Sequence, residues 1–187
     1  MPTRPRGFTL IELMVALSIA GFLLVMAAPL YAEWVADNQI KNGAQLIADG
    51  ARQAQAEAIR RNVPIELVLD PTAKTGGWII QAQGGGTIQQ AYFMAGADRV
   101  AFAVTPAGRN TITFSPLGII DRPNADATLP FDTVDITSTV SGTRALRVLL
   151  GGQTAADKPG RTGIKICDPA WTAIDPNDPK ACPPAGG

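Results

Sequence analysis

GFTLIELMVALSIAGFLLVMAA, residues 7–28, decides how this chain is read. The 21 residues from Phe8 to Ala28 carry one charge, Glu12, and as a single helix they are long enough to span a hydrocarbon core of roughly 30 Å. Upstream stands MPTRPRG, with Arg4 and Arg6 and no acid. By the positive-inside bias the N-terminus is expected to stay cytoplasmic, and everything after Pro29 is expected across the membrane. A secretory signal peptide is the competing reading, because it too joins basic residues to an apolar run, with a small-residue cleavage site behind it. Ala27 and Ala28 followed at once by Pro29 fit such a site poorly. Glu12 weighs the same way. A carboxylate inside an apolar span costs a few kcal/mol in lipid, which marks it as functional and in need of a cationic partner.

Gly7-Phe8-Thr9-Leu10-Ile11-Glu12-Leu13 resembles the processing site of type IV prepilins and pseudopilins. The resemblance implies that a prepilin peptidase cuts between Gly7 and Phe8 and methylates the new amino terminus on Phe8, leaving the helix as the polymerisation element. Glu12 then becomes the fifth residue of the mature chain, and its implied partner is the Phe8 amine of a neighbouring subunit. Each of these charges is costly alone in lipid, and the two cancel when subunits are staggered in a filament. A plain membrane anchor is the alternative.

Without the leader and the spanning segment about 160 residues remain, enough for one globular domain. The expected divisions are a leader over residues 1–7, a transmembrane helix over 8–28, an extension of that helix over 29–61 and a β-rich domain over 62–187. Lys plus Arg and Asp plus Glu number 16 each, so no global charge argues for nucleic acid or an acidic surface. The sequence contains no histidine, which removes the commonest metal ligand and the commonest general base. Neither G-x-S-x-G nor a Walker-type G-x-x-x-x-G-K-[ST] occurs, and Gly84-Gly85-Gly86 lacks a following Lys-Ser/Thr, so it is expected to be a hairpin turn. The chain is therefore read as no enzyme, with no cofactor and no metal, and as a substrate of enzymes.

Cys167 and Cys182 are the two cysteines. Outside the cytoplasm such a pair reads as a disulfide, and closing a loop of this size is worth about 3 kcal/mol in the chain-entropy model. Their spacing is not C-x-x-C, and two thiols alone make a poor metal site.

The apolar helix is expected to continue past the membrane. From Pro29 to Arg61 no further proline occurs, and Ile40, Ala44, Ile47, Ala51, Ala54 and Ala58 recur at spacings of four and three, one face of an amphipathic helix that should cover a sheet. Gly43 and Gly50 beside that face either allow close approach of the packed layer or are incidental in a run of helix formers. Pro29 removes a donor and crowds the preceding turn, so a kink or a locally melted segment is expected there. Tyr31 and Trp34 fit the aromatic belt at a membrane surface.

Asn62-Val63-Pro64 closes the helix, since the residue before a proline is pushed towards extended geometry. Eight short runs follow, rich in β-branched and aliphatic residues: 65–70, 78–83, 88–94, 100–104, 111–115, 134–140, 145–150 and 163–167. Turn signals separate them, and Asp121 to Pro130 is expected to be a long loop. The fold class is α+β: a long N-terminal helix on an antiparallel sheet, with a disulfide-closed C-terminal loop.

Ala51 to Leu69, ARQAQAEAIRRNVPIELVL, resembles the GspH/FimT branch of pilin-like proteins, as do Phe114-Ser115-Pro116-Leu117-Gly118 and the ending Gly160-Arg161 before a strand and Cys167. This resemblance implies a type IV pilin-like fold and a minor pilin that sits in the inner membrane with a periplasmic domain. Its implied partners are prepilin peptidase, other minor pilins and the major pilin, which a small tip complex primes for polymerisation. A type II secretion pseudopilin shares the same plan, and the C-terminal cysteine pair leans towards the pilus.

A third reading rests on charge. Arg144, Arg147, Lys158, Arg161 and Lys165 stand against Asp157 alone, and such a patch can hold phosphates; a solvated face or a subunit contact is the plainer account. Some FimT-like minor pilins bind DNA through a G-R-x-R motif. Here Gly160-Arg161-Thr162-Gly163 lacks the second arginine, with Lys165 two residues on. Trp171 is expected exposed near three aspartates in the loop to Cys182, an arrangement that repels a phosphate backbone.

Overall fold

The computed structural model describes residues 7–70, 76–93, 100–140, 142–151, 163–174 and 180–182. Helix α1 spans Leu10–Arg61, 52 residues, or about 78 Å at the usual rise per residue. Its start is set by Thr9, which lies in extended geometry and accepts the Glu12 amide at 3.3 Å through its hydroxyl, satisfying one of the orphan donors of the first turn. Its end is set by Asn62, which takes the left-handed conformation at φ 54°, one that asparagine tolerates better than most side chains.

The melted segment expected at Pro29 is absent, for α1 runs unbroken through it. A proline removes a single i to i−4 bond, and the turns on either side keep theirs.

The second half of α1 is the spine of the core. Ile40, Ala44, Ile47, Ala51, Ala54 and Ala58 are all buried, as their spacing predicts. Beneath them, among the described residues, lie eight strands: β1 (Ile65–Asp70), β2 (Gly77–Ala82), β3 (Thr87–Tyr92), β4 (Val100–Thr105), β5 (Thr111–Phe114), β6 (Thr133–Ser138), β7 (Leu146–Leu150) and β8 (Ile164–Cys167). The helix-on-antiparallel-sheet plan holds, with the strands divided between two four-stranded sheets, ordered β3-β2-β1-β5 and β4-β6-β7-β8. The division arises because β5 returns to β1, with the Asn110 carbonyl taking the Leu69 amide at 2.7 Å, although β4 precedes it in the chain. Turn residues reveal where a strand stops, and not which ladder the next one joins.

Strand ends differ from expectation for local reasons. β6 stops at Ser138, whose hydroxyl accepts the Val140 amide at 3.1 Å while Thr143 donates to the Val140 carbonyl at 2.8 Å, a side-chain turn that replaces ladder bonds. The 84–86 glycines do form the β2–β3 hairpin turn, all at positive φ. Residues 121–130 form the expected loop, and its organiser is the buried Asn124. The Asn124 amide nitrogen donates to the Thr111 carbonyl and the Thr128 hydroxyl, and its oxygen accepts the Thr113 amide at 2.9 Å. Phe131, fully buried beyond this loop, completes the core.

Helix α2 (Pro169–Ile174) was not expected. Asp168 caps it by accepting the Ala170 amide at 2.9 Å, and Pro169 stands in the first helical position, where its missing N–H matters least.

Candidate functional site

The N-terminal helix and the face of the head that it leaves open are the two regions where function can reside. Phe8 is 87% exposed, and large apolar side chains from Leu10 to Leu30 are likewise exposed. Each is worth roughly 1.5–3 kcal/mol when removed from water, so this length of helix requires lipid or neighbouring helices. It is long and apolar enough to cross a membrane by length and composition, and none of its apolar window is buried within the chain. Within it stands Glu12, in the first turn, with its backbone amide capped by Thr9. Among the described residues no side chain pairs with its carboxylate. Thr9 and Glu12 carry the T-x-x-E spacing of a capping box, a signal that locates the helix start from sequence.

Gly7 is informative for what does not surround it. A Cβ added there meets no atom of the described residues within 4 Å, so the described fold places no demand for glycine at this position. Any such demand comes from outside the chain.

Beyond this apolar stretch, Tyr31 and Trp34 are exposed with ring centroids 6.0 Å apart. The β6–β7 connection then rests on α1. Asp37 accepts the Arg144 amide at 3.3 Å, and Gly142 lies against Glu33, where an added Cβ would stand 3.0 Å from the carboxylate.

The basic residues grouped in sequence do not form one open patch. Arg147 donates to both oxygens of Asp135, its cross-strand neighbour, at 2.5 and 2.9 Å. That hydrogen bonding pushes the Arg147 pKa up. Lys165 donates to the Ala181 carbonyl at 2.9 Å. Arg144 lines a groove of about 470 Å³ together with Asp37, Lys41, Trp171 and Lys180, a setting of mixed charge. Arg161, with Lys158, Gly160 and Thr162, lies outside the described residues.

The tail is closed as expected. Cys167 and Cys182 form a disulfide with their Cα atoms 5.0 Å apart, packed on Leu149. The Asp168 amide donates to the Lys180 carbonyl at 2.9 Å, so the closure has backbone support. Trp171 departs from expectation: it is half-buried, with the Lys180 ammonium 5.5 Å from its ring centre, a cation–π distance. Asp168 serves as the α2 cap, while Asp175 and Asp178 lie outside the described residues. Among the described residues no group of three or more His, Cys, Asp or Glu is placed to hold a metal.

Comparison with known proteins adds to this geometry. Residues 43–154 match the family model described as type II transport protein GspH, and residues 3–28 match the prokaryotic N-terminal methylation motif. A stretch of 57 residues is 42% identical to the type IV major pilin protein PilE1 of Neisseria gonorrhoeae, covering 30% of this chain and 34% of that one. The type IV major fimbrial protein FimA of Dichelobacter nodosus is 40% identical over 60 residues, 32% of this chain and 37% of that one. The chain thus matches about a third of the length of these curated relatives. Among solved structures, the type IV minor pilin FimU of Pseudomonas aeruginosa superposes with a TM-score of 0.50 at 16% identity, covering 68% of this chain and 89% of that one, a likeness of fold. The minor pseudopilin EpsH of Vibrio cholerae gives a TM-score of 0.46 at 13% identity, covering 70% and 98%.

Proposed function

The chain belongs to the GspH family, which places it among structural, non-enzymatic pilins and pseudopilins, and from that premise we propose that it is a minor pilin of a type IV pilus. Prepilin peptidase cleaves it between Gly7 and Phe8 and methylates the Phe8 amine. It resides in the inner membrane through residues 8–28, with the head domain in the periplasm, and then enters the pilus tip. There it joins other minor pilins and helps prime polymerisation of the major pilin. Glu12 sets subunit register by meeting the Phe8 amine of a neighbour, residues 8–28 supply the packing of the filament core, and the disulfide-closed tail contacts partners.

The observation that carries this reading is a carboxylate with no side-chain partner among the described residues, set in the apolar N-terminal stretch of α1 that the head leaves uncovered. A charge so placed is costly in lipid until a cation of another chain reaches it. The exposed Gly7–Phe8 junction, where the fold imposes no need for glycine, supports an external reader of that residue.

A type II secretion pseudopilin is the second reading, favoured by the description of the matching family. A DNA-uptake role draws less support, since Arg147 and Lys165 are engaged within the head, and it would rest on Arg144 and Arg161. Deleting the gene and scoring sheared surface pili and secreted exoproteins in the same cultures separates the first two. Loss of pili with secretion intact supports pilus priming. Loss of secretion with pili intact makes the protein a pseudopilin, and both intact removes these two readings and turns attention to DNA uptake.

A further inference from the structure

The bond between Gly7 and Phe8 stands just outside α1. Gly7, Phe8 and Thr9 are exposed and carry no helical structure, and α1 begins at Leu10. Phe8 and Thr9 alone separate the bond from the helix. One residue sets that boundary. Thr9 lies in extended geometry at φ −80° and ψ 154°, and its hydroxyl accepts the Glu12 amide at 3.3 Å. Its carbonyl takes the Leu13 amide at 3.2 Å, the first acceptor of the helical ladder.

Packing does not hold these residues extended. A Cβ at Gly7 meets no atom of the described residues within 4 Å, and Phe8 and Leu10 are largely exposed. The start of α1 therefore depends on which residue caps it best. Upstream of Thr9, Phe8 offers no acceptor, and Gly7 is the next residue with a useful capping preference. With Gly7 as the cap, its carbonyl would take the Ile11 amide as the first bond of a longer helix. Hydrolysis adds water across this same amide: the hydroxyl goes to the Gly7 carbonyl carbon and the proton to the Phe8 nitrogen, which leaves as the new amino terminus. A carbonyl inside a helical ladder is open to that attack only after the turn opens, as for proteolysis of any ordered backbone.

We propose that Thr9 is a positioning residue for leader removal: by capping α1 it starts the helix beyond the scissile bond and keeps the Gly7 carbonyl out of the helical ladder. The inference rests on the reading that prepilin peptidase cuts between Gly7 and Phe8. It separates the work of Thr9 from that of Glu12. The Thr9 hydroxyl holds the backbone amide of residue 12, which any residue except proline supplies, so loss of the Glu12 carboxylate leaves the helix start where it is.

The test uses the full-length precursor in lipid vesicles with prepilin peptidase, and initial rates of leader removal are read by intact mass. Thr9→Ala is expected to slow cleavage about threefold to tenfold, the scale on which losing an N-cap shifts a helix start. Thr9→Asn and Thr9→Gly are expected to stay close to the parent rate. Both residues cap well, and glycine does so with no side chain for an enzyme to read. A Thr9→Ala precursor cut at the parent rate overturns the proposal. So does a Thr9→Gly precursor as slow as Thr9→Ala, since the peptidase would then be reading the threonine side chain itself. A parent chain left uncut at Gly7–Phe8 removes the processing reading and this inference with it; a parent that is cut while Thr9→Ala keeps pace removes this inference alone.

Discussion

Gly50 of α1 and Trp78 of β2 meet so closely that a Cβ at position 50 would lie 2.7 Å from the indole ring. The ring cannot swing away freely, because its Nε1 donates to the Leu46 carbonyl at 2.9 Å. Helix and sheet approach each other here as far as a glycine allows. Gly50→Ala gains up to about 1 kcal/mol of helix propensity, against overpacking that costs typically 1–3 kcal/mol. The expected result is net destabilisation of the head, read as a lower denaturant midpoint with an unchanged slope.

Gly7→Ala tests processing without touching the fold, since among the described residues nothing lies within 4 Å of the added methyl. The variant is expected to keep the mass of the unprocessed precursor. Intact-mass analysis of the membrane fraction checks this, and a normally trimmed product carrying alanine at position 7 in its precursor would contradict it.

Glu12→Ala separates cleavage from assembly. Cleavage should proceed, while incorporation into sheared filaments falls by about tenfold or more, because removing one partner of a pair in lipid leaves the other charge uncompensated at several kcal/mol. Normal incorporation would sink the register role assigned to Glu12.

Asn124→Ala removes three hydrogen bonds at once and leaves the Thr113 amide, on a buried residue, without its acceptor. The expected loss is about 2–4 kcal/mol, visible in urea unfolding of the head. Asn124→Asp retains the acceptor and not the donor, and is expected to fall between the two.

Cys167→Ser removes the tail closure. The disulfide accounts for about 3 kcal/mol in the chain-entropy model, and hydrogen exchange should show loss of protection at the Asp168 amide, which donates to the Lys180 carbonyl. Protection unchanged from the parent would mean that the backbone bonds hold the tail by themselves.

Much of this architecture is legible in the sequence, and the parts that are not share a cause. The buried stripe from Ile40 to Ala58 and the strand from Ile65 to Asp70 follow from local periodicity, which one segment carries alone. The engagement of Arg147 by Asp135 is a relation between strands. Charge counted along the chain cannot show it, since the two residues meet only once β6 and β7 are in register. Asn124 looks like a turn residue, and only the folded loop places its amide over β5. The role of Gly43 and Gly50 is hidden from the sequence for the same reason, because the aromatic rings that need the space, Phe102 and Trp78, come from distant strands. Two signals were present and local: the T-x-x-E spacing of Thr9 and Glu12, and the Asp168-Pro169 start of α2. Like Asn62 at the close of α1, they mark a helix end through a backbone requirement.

The unbroken course of α1 has a mechanical meaning. Its first turns are the part that lipid or a neighbour can grip, and its last turns are the centre of the head's own core. A pull applied at Phe8 therefore travels along one ladder of helical hydrogen bonds into the contacts of Ala44, Ala51 and Ala58 with the sheets, with no linker in between to stretch. The head cannot be parted from its anchor by opening a joint. Short of unwinding its own exposed turns, the helix parts from the head only by shearing out of the sheets, so the grip of the head on its anchor is the grip of its core.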